Sequence, residues 1–303
     1  MQYIIGNLVY VVWTLLNVSH DSIFKYYNHL HLFFIFLIRY TGIFLITFIF
    51  NKITNTTNEI SQEDRKNLIV FNFFKAIVTI LAMIFVYKQI EISSLFSINL
   101  IFFSIPLWDL IIGKIFFNKM DLKTLMMENL GIIINNIIIL IYFLKEIYFY
   151  GISKIIYGFL GAFMFSISNI LILKTQKIWK NNIKYIPYDL FWFSFYMIIL
   201  SICLIFFYKL NLTILLKNFH IGDMYFITYM ILGILIQFLL YYLFFKNDFT
   251  PSNILVSIDL IVALIFGFFC NNEKINLWEI IVLLMIIIIP FLKKKLYIKK
   301  KII

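Results

Sequence analysis

The chain has 303 residues, 63% hydrophobic and only 14% charged, and a mean hydropathy of +0.95, more apolar surface than one water-soluble core buries. That excludes a soluble globular domain and indicates an integral membrane protein whose first partner is the lipid bilayer. The net charge of +11 then reads as a topology signal and an attraction to anionic lipid rather than nucleic-acid binding, and two cysteines suggest no disulfide framework.

The apolar runs are continuous rather than alternating, and ten Gly and four Pro are too few for a loop-rich barrel, so the spans should be helices that satisfy their own backbone groups. A hydrocarbon core of about 30 Å needs about 20 helical residues. Ten such windows tile the chain: residues 5–24, 30–50, 68–87, 93–116, 125–144, 155–173, 188–208, 224–245, 253–269 and 277–292. The longest connection, "NKITNTTNEISQEDRK", is too polar to span and too short to be a domain. With both termini cytoplasmic, the inner segments hold most of the basic residues, among them Arg65, Lys66, Lys114, Lys119, Lys123 and the tail "KKKLYIKKK".

Two segments resemble each other: "SIPLWDLIIGKIFFNK" at 104–119 in the fourth span and "SIDLIVALIFGFFCNNE" at 257–273 in the ninth. More faintly, "SHDSIFK" at 19–25 ends the first span as "SNILILK" at 168–174 ends the sixth. Both pairs lie five spans apart, the spacing of two five-helix repeats, 1–147 and 148–303. An odd number of spans per repeat forces the copies to face opposite ways. The expected fold is therefore all-α, ten transmembrane helices in two inverted repeats, a plan that recurs in carriers with a site near the bilayer midplane.

Ionisable residues inside spans carry the most information, because each costs about 2.5–3.5 kcal/mol at a span centre and must face a partner or a wet cavity. Asp259 sits in the middle of "ILVSIDLIVALIFGF"; Arg39 and Lys75 lie within the second and third spans. Two readings stand side by side. Asp259 ties helices together by pairing with Arg39 or Lys75, or it is a cavity carboxylate that binds the cationic part of a substrate or a coupling proton. In the second reading Arg39 or Lys75 binds the carboxylate of a zwitterionic metabolite, and Trp108 and Tyr242 complete the cage by cation–π contact. Pro106 should kink the fourth span. Asn99 and Asn169 fall near the cavity, the remaining amides acting as interhelical glue. Asp109, three residues from Pro106, is an alternative proton-coupling acid on nearly the same helix face.

The polar end of the first span with Asp21-x-x-x-Lys25, Arg39 in "FLIRY", "FSIPLWDLIIGKIFF" in the fourth span, and Asp259 followed by Asn272-Glu273 resemble the EamA-type branch of the drug/metabolite transporter superfamily. Within that branch the likeness is to the S-adenosylmethionine uptake carriers of obligate intracellular bacteria. Three positions depart from that pattern: Lys119 stands where an acid usually ends the fourth span, Asn169 where the sixth span has an acid, and Asp259 where a longer Glu is typical. The resemblance implies a secondary carrier in a bacterial inner membrane that takes up S-adenosylmethionine, alone or in exchange for S-adenosylhomocysteine, with Asp21 and Lys25 in coupling or gating. An amino-acid or metabolite exporter and a nucleotide-sugar carrier remain open alternatives, and so does the oligomeric state.

The rival class is an intramembrane transferase. Of the four histidines, His29 and His31 are spaced by two, which turns their rings to different helix faces, and no Cys or acid nearby completes a metal set. No HExxH pattern, Gly-Lys phosphate loop or G-x-S-x-G elbow occurs. The expectation is a non-enzyme with no bound cofactor, no metal and a small-molecule partner.

Overall fold

A computed structural model describes residues 2–26, 32–54, 60–117, 130–150, 152–179, 185–210, 224–245 and 253–288. Among the described residues the chain is helical, with no strand. In chain order the helices are α1 (Gln2–Tyr26), α2 (Leu32–Thr54), α3 (Gln62–Ile92), α4 (Leu95–Phe102), α5 (Ile105–Phe117), α6 (Leu130–Tyr150), α7 (Ser153–Trp179), α8 (Tyr185–Phe207), α9 (Met224–Phe245) and α10 (Asn253–Asn271), followed by α11 (Leu277–Ile288). Each of the ten apolar windows contains a helix. Four, within α2, α3, α7 and α8, are long and apolar enough to cross a membrane; five shorter apolar helices accompany them.

The fourth window is two helices, not one. α4 is capped by Phe103, whose N–H shares the carbonyls of Asn99, Leu100 and Ile101, and α5 begins two residues further on, at Ile105. Pro106 explains the break. It has no N–H for the carbonyl four residues back and its ring crowds that carbonyl, so it fits only the first turn of a new helix. The start of α4 is held by three side chains. Ser94 accepts from Ser97 N–H at 3.2 Å, and Glu273 accepts from Leu95 N–H at 3.0 Å. Glu279 accepts from the Ser94 hydroxyl at 3.3 Å. Carboxylates at this end also complement the helix dipole.

The distribution of residues is compatible with a membrane protein. Large apolar side chains such as Leu45, Ile49, Phe74, Leu140, Leu144 and Phe206 face outward, while Arg39, Asn72, Lys75, Gln89, Asp189 and Ser194 are buried. α3 packs on α7, α8 on both α2 and α3, α1 on α9 and α10, α7 on α4 and α5, α4 on α10, and α2 on α9. Glycines of α7 allow this close packing: a Cβ at Gly161 would lie 2.6 Å from Val86 Cγ2 on α3, and one at Gly158 would lie 3.2 Å from Gln89 Cγ on α3 and meet Ile101 of α4. Gly158 N–H also donates to Gln89 Oε1 at 3.0 Å. The interior is largely aromatic and aliphatic, centred on Phe36, Tyr40, Ile43, Leu68, Phe193 and Met197.

Candidate functional site

Polar clusters around Asp259, Arg39, Lys75 and Asp109 interrupt this interior. Asp259 on α10 is half-buried and faces α1. Thr14 Oγ1 donates to its Oδ1 at 2.5 Å and Tyr10 OH to its Oδ2 at 2.9 Å. Neither hydroxyl carries charge, and among the described residues no basic group lies within ion-pair distance of Asp259. The interhelical tie to Arg39 or Lys75 that the sequence allowed is not formed, since both cations are engaged elsewhere.

Arg39 on α2 is buried with the opposite charge and likewise has no carboxylate within ion-pair distance among the described residues. Its Nη2 donates to the Gly233 carbonyl on α9 at 3.1 Å, its Nη1 reaches His20 Nε2 at 3.4 Å, and among the described residues its Nε has no partner. The close approach to α9 requires glycine: a Cβ at Gly233 would sit 2.9 Å from Arg39 Nε. A guanidinium only donates, so Nε2 of His20 is the acceptor and the ring proton belongs on Nδ1. That nitrogen faces Asp21 Oδ1 at 3.4 Å. The His20 ring stacks on Tyr229 at 4.0 Å, and Tyr229 OH meets Tyr87 OH at 3.1 Å.

Lys75 on α3 is the saturated counterpart. Its Nζ lies 3.3 Å from Asp189 Oδ2 on α8 and donates to Tyr241 OH on α9. The rings of Phe193 and Tyr241 flank it at 4.7 and 5.0 Å, good positions for cation–π attraction. Asn72 donates to the other oxygen of Asp189 at 2.5 Å, and Tyr241 also bonds that carboxylate. Tyr87 meets Tyr229 at one level and Lys75 meets Tyr241 at the other; positions 75 and 87 on α3, like 229 and 241 on α9, are twelve residues apart. At about 1.5 Å per residue, the Arg39 and Lys75 clusters occupy levels about 18 Å apart in an antiparallel pair.

Asp109 on α5 is half-buried against α7, where Ser166 Oγ donates to Oδ1 at 2.5 Å and the Asn169 side chain also bonds it. Asn169 is thereby joined to Asp109. Asn99 turns its amide to the Leu95 carbonyl of its own helix at 2.9 Å. The Trp108 ring stands edge-on to Phe163 at 5.2 Å, and its buried Nε1 has no partner among the described residues. The side chains of Lys25 and Tyr242 lie outside the described residues.

Sequence reasoning passed over His20, Asp189, Tyr87, Tyr229 and Tyr241. Asp189 was the one with a signal, a carboxylate four residues into a long apolar helix. It stands second in its hydropathy window and so reads as an interfacial residue. No protein-family model and no curated protein matches the chain.

Proposed function

We propose that the chain is a ten-span secondary carrier of a zwitterionic metabolite, built as two inverted five-helix halves, with S-adenosylmethionine as the foremost candidate. The helix packing supports the two halves. Exchanging α1 with α7, α2 with α8, α3 with α9, and α4–α5 with α10 turns the α3–α7 contact into α9–α1, α8–α3 into α2–α9, and α7–α5 into α1–α10, while α2–α8 and α4–α10 map onto themselves. The interrupted fourth span is a further feature such carriers use at their sites.

One observation carries the substrate reading: a buried cation, Arg39, and a half-buried carboxylate, Asp259, whose direct hydrogen-bond partners are uncharged, with Asp21 acting on Arg39 only through space beyond His20. Both are tied to α1, Asp259 through Thr14 and Arg39 through His20, six residues further on. That is a rise of about 9 Å, the scale of a small amino-acid derivative. A ligand with a cationic head and a carboxylate neutralises both at once. S-adenosylmethionine offers a sulfonium and an ammonium for Asp259 and a carboxylate for the Arg39 fork. Lys75, already neutralised by Asp189, belongs to the framework in this reading. The carrier sits in a bacterial inner membrane with both termini in the cytoplasm, in keeping with the basic residues of the inner segments.

Binding to the purified full chain tests this. S-adenosylmethionine should raise the unfolding temperature in detergent, and S-adenosylhomocysteine, which lacks the sulfonium charge, should do so more weakly. Arg39→Gln should abolish the effect of both. Equal shifts from S-adenosylmethionine, a nucleotide sugar and an uncharged nucleoside would remove the zwitterion reading.

A further inference from the structure

We infer that Asp109 is a proton-binding site, distinct from the Asp259 half-site, which drives transport by a pH gradient; this rests on the carrier reading above. The two carboxylates are counterparts. Asp259 takes its hydroxyl donors from α1 and Asp109 its donors from α7, and α1 and α7 exchange in the helix packing, as do α10 and α5. The sequences agree down to the register. Asp259 lies two residues after Ser257 and Asp109 five after Ser104, while Thr14 lies five before Ser19 and Ser166 two before Ser168. Carboxylate and donor have moved together by three residues, about one helical turn. The arrangement thus occurs twice with the halves exchanged, the Asp109 copy lying one turn along from the Asp259 copy.

What Asp109 would take follows from its surroundings. Its partners are the Ser166 hydroxyl and the Asn169 amide, both donating, and no charged side chain from α6 or α7 among the described residues interacts with it. A hard metal cation needs about six oxygen ligands, and no group of three or more His, Cys, Asp or Glu occurs among the described residues. The neighbouring Trp108–Phe163 ring pair is aromatic, with the Trp108 Nε1 as its one polar atom. An uncompensated carboxylate beside such a wall is neutralised by the smallest cation available. Hydronium on one side gives its proton to a carboxylate oxygen, forming O–H and leaving water; after the halves rock, the bond breaks toward water on the other side. The charge that would resist this movement is absent while the proton is bound.

Two measurements on the purified full chain in proteoliposomes test this. Infrared difference spectra between neutral and acid buffer, without substrate, should contain a protonated-carboxyl carbonyl band that Asp109→Asn removes and Asp109→Glu restores at a shifted frequency. A spectrum untouched by Asp109→Asn overturns the proton site whatever the substrate proves to be. With labelled S-adenosylmethionine, an imposed pH gradient should drive accumulation in the wild type and in Asp109→Glu. In Asp109→Asn that accumulation should fall to the equilibration level while exchange of internal for external substrate persists. Gradient-driven accumulation in Asp109→Asn, or none in a wild type that exchanges substrate, overturns the coupling role. Absence of all transport alongside an Asp109-dependent band would instead count against the carrier reading alone.

Discussion

Lys75 and Asp189 form an ion pair of 3.3 Å between α3 and α8 in which the two side chains are 1% and 0% exposed. With Asn72 and Tyr241 completing the coordination, each charge is satisfied. Removing one partner leaves the other buried and alone, at a cost of about 3–5 kcal/mol, whereas replacing both with apolar groups of similar volume is close to neutral. Lys75→Met and Asp189→Leu should each lower stability in detergent by that amount, and the double variant should recover most of it. Equal losses in the double variant and the sum of the singles would mean the two charges are not coupled.

The Arg39 fork is set by the space at Gly233. A methyl group there would meet Nε at 2.9 Å and Cδ at 3.0 Å, so Gly233→Ala should push the guanidinium off the carbonyl it donates to. A hydrogen bond from a charged group contributes about 1.5–3 kcal/mol. Uptake KM should therefore rise about tenfold or more, and stability should fall by no more than that hydrogen bond's contribution. An unaltered KM would separate Arg39 from the substrate.

Gly161 is a packing position and should behave differently. Its Cβ would lie 2.6 Å from Val86 Cγ2 and 3.4 Å from the Ala82 carbonyl, so Gly161→Val must separate α3 from α7. Overpacking of this kind costs about 1–3 kcal/mol, measurable as a lower unfolding temperature. In the proposed two-half arrangement those helices join the halves, so maximal uptake should fall while KM holds.

Glu273 closes α10 and caps α4 in one stroke. Its N–H donates to the Gly267 carbonyl at 2.9 Å after Asn272 adopts a left-handed φ of 53°, and its carboxylate accepts from Leu95 N–H. Glu273→Ala should cost about 1 kcal/mol through the lost cap, and Glu273→Gln less. Unfolding in detergent checks the order.

The helices were legible in the sequence because continuous apolar runs of helical length have few other solutions in a bilayer. The division of the fourth was legible only as a kink at Pro106; where α4 stops depends on the carbonyls that Phe103 N–H shares and on the Glu273 cap, contributed from 178 residues away. That Arg39, Lys75 and Asp259 lie within the helical assembly followed from the cost of exposing charge to lipid. Their pairing did not follow, because it depends on which helix faces meet. Asp189 was hidden by its place at a window edge. Tyr87, Tyr229 and Tyr241 were hidden among 19 tyrosines, none distinguishable from packing or interfacial anchors before the tertiary contacts were known.

Uptake of radiolabelled S-adenosylmethionine by bacteria expressing the chain, with Asp259→Asn alongside, tests the central claim most directly. The account predicts saturable uptake, competed by unlabelled S-adenosylhomocysteine, and a loss of about thirtyfold or more in affinity in the variant, as expected for removing one member of a buried charge pair. Wild-type and Asp259→Asn chains that reach the membrane folded and take up the compound equally would contradict it.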